Sequence, residues 1–99
     1  MALVEQARGA TIHSKLESRT ATLGVIGLGY VGLPLAAVAA RAGFRVIGFD
    51  IDNSKVERLK AGRSYIGAVT DEALQDISAS GSFRATSDFA ILEECDVIS

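Results

Sequence analysis

Three glycines with a fixed spacing are the residues of this sequence best suited to binding chemistry. They form the pattern G-x-G-x-x-G. In such a pattern the first glycine permits a tight turn, the second lets backbone N–H groups approach a phosphate, and the third lets the next helix pack closely on the strands. A helix that starts near Tyr30 would point its positive end at the phosphate charge. The predicted dinucleotide-binding turn consists of Gly27, Leu28, Gly29, Tyr30, Val31 and Gly32.

An acidic residue follows the glycines at the spacing that a dinucleotide site requires. Asp50 ends the second predicted strand, close to the expected distance of about twenty residues. Its carboxylate would accept hydrogen bonds from the ribose hydroxyls and repel a 2′-phosphate, which favours NAD over NADP. NADP stays an alternative. Asp50 could instead be a solvated loop acid or a helix cap, but Asp52 is the better candidate for the cap.

The elements around the turn are predicted to form a β-α-β unit. An apolar run that closes in glycine indicates a buried parallel strand, and a run of β-branched and aromatic residues indicates a second one. Between them, an alanine-rich segment predicts a helix with Leu35, Val38 and Ala39 on one apolar face. In chain order we predict a strand at 22–27, a helix at 31–42 that Gly43 ends, and a strand at 44–50.

Further elements continue this alternation of strands and helices. Ser54 and Glu57 fit a capping box, which predicts a short helix that Ser54 caps, that runs to about Ala61 and that Gly62 ends. Thr70 or Asp71 is expected to cap the next helix. The remaining predictions are a loop at 63–69 that faces either a ligand or solvent, a helix with Leu74 and Ile77 inward that lasts until Gly81, a strand at 83–86, a turn or two of helix at 87–94 capped by Ser87 or Asp88, and a strand at 96–99.

These elements predict an α/β fold, a Rossmann-type parallel sheet of about four strands with flanking helices, here truncated. Residues 21–99 would form a partial NAD-binding domain, and residues 1–20 would form an N-terminal extension outside its core. The chain has 99 residues, of which 48% are hydrophobic and 22% charged, so one domain or part of one is the most that it can build.

Charge and rare residues exclude several classes of function. A net charge of −2 provides no basic surface for nucleic acid or anionic membranes. The only cysteine, Cys95, cannot form an internal disulfide, which suits a cytoplasmic protein, and it is expected to be a small buried apolar residue. The only histidine, His13, cannot form a metal site alone. We therefore predict neither a metal site nor a catalytic residue in this chain.

One alternative interpretation places residues 21–40 in a membrane. This stretch carries no charge and follows Lys15 and Arg19, as a signal anchor would. The crowded glycines and Pro34 argue against a continuous helix. No cleavable signal peptide is visible, because charged residues interrupt the first positions.

The quoted motifs resemble those of the nucleotide-sugar 6-dehydrogenase family, most of all its UDP-N-acetylhexosamine branch, whose relatives include UDP-glucose dehydrogenase. The similarity lies in GLGYVGLPLA (27–36), VIGFDIDNSK (46–55), GRSYI (62–66), TSD (86–88) and CDVI (95–98). The resemblance implies NAD as the cofactor, with Val31 contacting it at the turn, Asp50 holding the adenine ribose and Lys55 reaching the same ribose. Lys55 could equally be an exposed helix lysine.

The resemblance also implies an activity for the parent enzyme. Family members oxidise the C6 alcohol of the sugar to a carboxylate in successive hydride transfers to NAD, through a covalent intermediate on a catalytic cysteine. That cysteine and its lysine and asparagine partners belong to segments far downstream, and Cys95 does not match them. A UDP-sugar substrate, a homodimer and a role in polysaccharide precursor synthesis are therefore expected for the full-length enzyme. Alternatives are a 3-hydroxyacid-type dehydrogenase and a non-enzymatic nucleotide-binding module.

Overall fold

A computed structural model describes residues 20–99 of the chain. The predicted N-terminal extension, residues 1–20, therefore lies outside the described residues except for its last position. Within the described part, four parallel strands form one sheet in the order β3-β2-β1-β4. The strands are β1 (Thr22–Ile26), β2 (Arg45–Phe49), β3 (Phe83–Thr86) and β4 (Val97–Ile98). The predicted Rossmann-type sheet of about four strands is confirmed.

Three helices pack on one face of this sheet. They are α1 (Gly32–Arg41), α2 (Asn53–Lys60) and α3 (Asp71–Ala79). Buried side chains of all three helices form one core with inward residues of the strands, among them Val46 and Phe83. Side chains alternate between the two faces of a strand, so the neighbours of Val46 in β2 point to the other face. There Phe49 meets Phe89 of a short 3-10 helix (Phe89–Glu94), with ring centroids 5.6 Å apart.

The strand order makes β1 a switch point of the topology. The connection from β1 to β2 crosses the first face as α1, whereas the connection from β3 to β4 passes the opposite face and returns beside β1. Ligands of open α/β sheets bind outside the carboxyl ends of the strands at such a point. The predicted turn at residues 27–32 follows β1 directly.

The predicted inward face of α1 is wrong. Leu35 and Val38 expose 45% and 66% of their surface, while Ala39 is half-buried. Apolar residues surround this helix almost completely, so their spacing does not define a single face. The face with small residues allows the closest approach to the sheet and is the one that is buried. The buried residues of the helix are Leu33, Ala36, Ala37 and Ala40.

The predicted capping box of α2 is also wrong. The helix begins at Asn53, and Asp52 caps it by accepting a hydrogen bond from the Ser54 amide at 3.0 Å. Ser54 lies inside the first turn, where its hydroxyl donates to the same Asp52 oxygen at 2.6 Å. The nearby carboxylate takes the capping position that the S-x-x-E pattern suggested for Ser54. Thr70 caps α3, and Asp88 caps the 3-10 helix.

The membrane interpretation of residues 21–40 is contradicted, because this stretch is divided between β1, a turn and α1. Within residues 20–99, no helix is long and apolar enough to cross a bilayer. Cys95 is half-buried rather than fully buried as expected. Its sulfur lies 2.8 Å from the position that a Cβ on Gly24 would occupy, so the strand leaves room for it only by having a glycine there.

Candidate functional site

The turn between β1 and α1 has the backbone geometry that its first glycine was predicted to provide. Gly27 has a φ of 86°, a left-handed conformation that glycine adopts without steric strain. Its amide donates to the Phe49 carbonyl at 2.7 Å, which extends the pairing of β1 with β2 by one residue. The turn therefore starts at the carboxyl edge of the sheet, beside the end of β2.

The other two glycines meet opposite surroundings. A Cβ on Gly32 would lie 1.7 Å from the Gly27 carbonyl oxygen, so α1 can start this close to the turn only with glycine at that position. A Cβ on Gly29 would meet no atom of the described residues within 4 Å, apart from its chain neighbours. The space above Gly29 is thus open to a ligand, whereas the space at Gly32 is filled by the protein.

The amide hydrogens at this turn are available to an anion. None of the described residues 20–99 accepts a hydrogen bond from the four successive amides that begin at Gly29 and end at Gly32. They lie at the N-terminus of α1, where unpaired N–H groups and the helix dipole favour negative charge. Beside them lies a cleft of about 340 Å³ between β1 and α1, lined in part by Gly29, Val31 and Leu35. Unpaired amides at a helix N-terminus beside an open cleft are chemically suited to an anion such as phosphate.

Asp50 lies buried beside the turn, with 9% of its surface exposed. One carboxylate oxygen, Oδ2, accepts a hydrogen bond from the Leu28 amide at 2.9 Å, and Oδ1 accepts one from the Asp52 amide at 2.9 Å. Each oxygen retains lone-pair capacity for a hydroxyl donor. The alternative that Asp50 is a solvated loop acid is therefore wrong, and the helix cap is Asp52.

Leu28 differs from Tyr30 and Val31 of the predicted turn in being buried and in having a hydrogen-bonded amide. Its side chain is fully buried in the core, and its amide is already bound to Asp50. It therefore holds the acid in position and offers no free donor. In contrast, Tyr30 and Val31 expose 86% and 75% of their surface at the start of α1.

Lys55 is half-buried in the first turn of α2, with its Nζ 5.9 Å from the centre of the Tyr65 ring. The Arg58 guanidinium lies 6.0 Å from the same ring centre. The Tyr65 hydroxyl donates to the Leu28 carbonyl at 2.5 Å, which connects the loop after α2 with the glycine turn. Burial, followed by the charges of Asp50 and Asp52, raises the pKa of Tyr65 to about 12. The phenol therefore stays a proton donor at neutral pH.

Sequence reasoning did not assign Tyr65 to the site. It lies 37 residues from Leu28 in the chain, so no local spacing connects the two. The one available signal was its presence in the GRSYI segment. Cys95, which sequence analysis did not assign to the site, lies on the opposite face near Phe49 and Gly24. Burial, then the charges of Glu94 and Asp96, raises the pKa of the Cys95 thiol. Within residues 20–99, no cluster of three metal-ligating side chains occurs.

The part of the chain that forms this site is similar to known proteins of one family. Residues 21–99 match the NAD-binding domain of the UDP-glucose/GDP-mannose dehydrogenase family. The UDP-N-acetyl-D-mannosamine dehydrogenase of Pyrococcus horikoshii is 32% identical over 65 residues, which are 65% of this chain and 16% of the relative. The chain thus spans about a sixth of the length of that relative.

Solved structures agree in sequence and in fold. A UDP-glucose dehydrogenase from Pyrobaculum islandicum superimposes with a TM-score of 0.62 at 44% identity, over 69% of this chain and 16% of that one. A GDP-mannose dehydrogenase from Pseudomonas aeruginosa, solved as a ternary complex, gives a TM-score of 0.70 at 31% identity, over 77% of this chain and 18% of that one. These matches support the nucleotide-sugar dehydrogenase interpretation over the 3-hydroxyacid alternative. With its glycine turn, buried acid and parallel sheet all inside the matched range, the chain belongs to the UDP-glucose/GDP-mannose dehydrogenase family and carries its NAD-binding domain.

Proposed function

We propose that residues 27–32, Asp50 and Lys55 bind NAD for a nucleotide-sugar 6-dehydrogenase. One observation carries the proposal: a row of unpaired amides at the start of α1 lies next to a buried carboxylate whose backbone partners hold it at the turn. The amides would bind the pyrophosphate and the carboxylate would bind the adenine ribose. When bound, NAD would supply the hydride acceptor of the reaction.

The residues present fit NAD better than NADP. A 2′-phosphate would approach the Asp50 carboxylate, which the structure holds in place by two amide hydrogen bonds and which cannot easily turn away. The negative charges of the phosphate and the carboxylate would repel each other strongly in a partly buried site. Lys55 and Arg58 are the nearby cations, and both lie against the Tyr65 ring. We assign Lys55 to the ribose region because it lies in the first turn of α2, which begins three residues after Asp50.

For the whole enzyme we propose oxidation of a UDP-N-acetylhexosamine at C6 to the carboxylate. The sequence resemblance to this branch and the similarity to a UDP-N-acetyl-D-mannosamine dehydrogenase support this choice of sugar. The 99 residues would supply cofactor binding, and the substrate and the reactive cysteine would come from the family's other segments. The raised pKa of Cys95 disfavours the thiolate that a nucleophile needs.

Three further expectations belong to the same proposal. The enzyme would work in the cytoplasm, a reducing compartment that suits a chain with one cysteine. It would act as a homodimer, as the resemblance implies. The NAD-binding unit would begin near residue 21, with residues 1–20 as an extension, which fits both the start of β1 at Thr22 and the start of the family match.

The cofactor assignment can be tested by isothermal titration of the full chain with NAD and with NADP. We expect NAD to bind at least about tenfold more tightly than NADP. Tenfold corresponds to about 1.4 kcal/mol, which is a modest cost for the repulsion between a 2′-phosphate and a partly buried carboxylate. The Asp50→Ala variant should bind NAD more weakly and lose most of this preference. Equal affinity for both cofactors, unchanged by the substitution, would contradict the role of Asp50.

The sugar assignment needs the protein expressed from its complete gene. It would be incubated with NAD and, in parallel, with UDP-N-acetylglucosamine, UDP-N-acetylmannosamine, UDP-glucose or GDP-mannose, and NADH would be followed by absorbance. We expect the fastest turnover with an N-acetylhexosamine and about two NADH per sugar, since the conversion of an alcohol to a carboxylate releases two hydrides. Fastest turnover with GDP-mannose would refute the choice of sugar and leave the NAD site untouched.

A further inference from the structure

A side chain from a distant loop reaches into the glycine turn. Tyr65 is half-buried, and its hydroxyl donates to the Leu28 carbonyl. The Leu28 amide, on the other side of the same residue, donates to Asp50. Both backbone polar groups of Leu28 are therefore hydrogen-bonded, the amide to the Asp50 carboxylate and the carbonyl to the Tyr65 hydroxyl.

The bond to Leu28 determines the direction of the next amide. All peptide bonds of the described residues are trans, and in a planar trans peptide the carbonyl and the N–H point in opposite directions. Because the Leu28 carbonyl points at Tyr65, the Gly29 amide points away from the loop that carries Tyr65. No acceptor within residues 20–99 takes that hydrogen. It is the first of the row of donors available to a phosphate.

Without such an anchor this peptide could turn over. Turning it over changes the ψ of Leu28 and the φ of Gly29, and glycine has access to both signs of φ. In the turned-over peptide a carbonyl oxygen would replace the Gly29 N–H and would repel the pyrophosphate. The hydrogen bond from Tyr65 to the Leu28 carbonyl therefore determines which group faces the phosphate position: the Gly29 N–H, a donor, or the Leu28 carbonyl oxygen, an acceptor.

The surroundings of Tyr65 keep its hydroxyl in place as a donor. Lys55 and Arg58 lie about 6 Å from its ring centre, within the range of cation–π attraction. Arg58 also donates to the Ser64 carbonyl at 3.3 Å and so holds the backbone next to the tyrosine. We propose that Tyr65 is a positioning residue for NAD, which acts by holding the Leu28 carbonyl so that the Gly29 amide faces the pyrophosphate. This inference rests on the proposed placement of NAD at the turn.

The test compares Tyr65→Phe with wild type in the full chain, because phenylalanine keeps the ring and removes only the hydroxyl. Isothermal titration should show about three- to tenfold weaker binding of NAD and of ADP-ribose, as expected for one neutral hydrogen bond. Adenosine, which lacks the pyrophosphate, should bind within about twofold of wild type. In nitrogen-15 spectra, NAD should shift the Gly29 amide strongly in wild type and weakly in the variant.

Ser80→Ala serves as the matched control. The Ser80 hydroxyl also donates to a backbone carbonyl, that of Ile77 at 3.1 Å, but at the end of α3. This variant should bind all three ligands like wild type. Titrations are made below the unfolding temperature of every variant, as measured by circular dichroism, so a difference in stability does not enter the comparison.

The outcomes separate the inference from the proposed function. If wild type binds neither NAD nor ADP-ribose, the proposed NAD site fails. If wild type binds both but Tyr65→Phe binds them equally well, the role of Tyr65 is overturned while the site stands. An equal loss for adenosine and ADP-ribose would also overturn it, because a general loosening of the fold would then explain the effect.

Discussion

The Cβ position of Gly32 and the carbonyl oxygen of Gly27 occupy the same space, since a methyl group at residue 32 would lie 1.7 Å from that oxygen. Backbone atoms cannot move aside as the end of a flexible side chain can. We expect Gly32→Ala to push α1 away from the turn and to destabilise the protein by about 3 kcal/mol, the upper end of the usual cost of overpacking. Chemical denaturation followed by circular dichroism measures this change.

Gly29→Ala is the matched substitution one turn earlier, with open space at its Cβ. It should leave the free energy of unfolding within about 0.5 kcal/mol of wild type. It should nevertheless weaken NAD binding by about tenfold or more, because the new methyl group occupies the approach to the amide. Similar stability losses in both variants would show that the two glycines do not have the separate roles inferred from their surroundings.

Asp50→Asn tests whether the buried carboxylate also supports the fold. The two oxygens of Asp50 each accept a backbone amide, from Leu28 and from Asp52. An asparagine has one oxygen and one NH2 group, so one amide would lose its acceptor. We expect a loss of about 1–3 kcal/mol in the free energy of unfolding. Asp52→Asn is the control, since asparagine also caps helices and this exposed substitution should cost clearly less. Equal effects of the two substitutions at neutral pH would contradict this assignment.

The Asp52 cap should give the protein a stability that depends on acid pH. The hydrogen bond from the Ser54 hydroxyl is the main cause that lowers the pKa of Asp52 below its usual value of 3.8. A carboxyl with a lowered folded pKa stabilises the protein above its unfolded pKa, and this effect disappears as the pH falls through the folded value.

Melting temperatures of wild type and Asp52→Asn should therefore differ by a constant amount near neutral pH and converge below pH 3.8. Ser54→Ala should reduce the acid dependence without moving the start of α2. A difference between wild type and Asp52→Asn that stays constant down to the lowest pH would rule out this origin.

Tyr65 should titrate late in alkaline solution. Burial is the main reason why its pKa rises to about 12. Because the folded state favours the protonated phenol, its stabilising effect is complete below the unfolded value of about 10 and is lost as the pH rises through the folded value. Phenolate absorbance should show a step near pH 12 that is missing in Tyr65→Phe. If the absorbance curves of wild type and Tyr65→Phe differ only in amplitude near pH 10, Tyr65 is not the half-buried, hydrogen-bonded phenol inferred here.

Local patterns predicted the parts of the site that lie close together in the chain. The glycine spacing located the turn, and the end of an apolar run located Asp50, because a parallel strand places its last residue at the ligand edge of the sheet. The alternation of strands and helices predicted a parallel sheet of about four strands. These features depend on short segments whose conformation the neighbouring residues largely determine.

Other features depend on competition or on distant contacts. In α1, the spacing of Leu35 and Val38 is that of an apolar stripe. The face that packs on the sheet is nevertheless the one with smaller alanines, because they allow closer packing. Ser54 and Asp52 are both good caps, and only the backbone conformation decides between them. The contact of Tyr65 with Leu28 joins two loops far apart in sequence, and no periodicity could reveal it.

The amides that we propose to bind phosphate are main-chain groups, and two of the residues that carry them, Tyr30 and Val31, have largely exposed side chains. Every residue except proline has this N–H group. A change of side chain at either position therefore leaves the donor where it is. The surface around the turn can therefore vary in shape and polarity among descendants of this sequence, while the row of amide donors is kept.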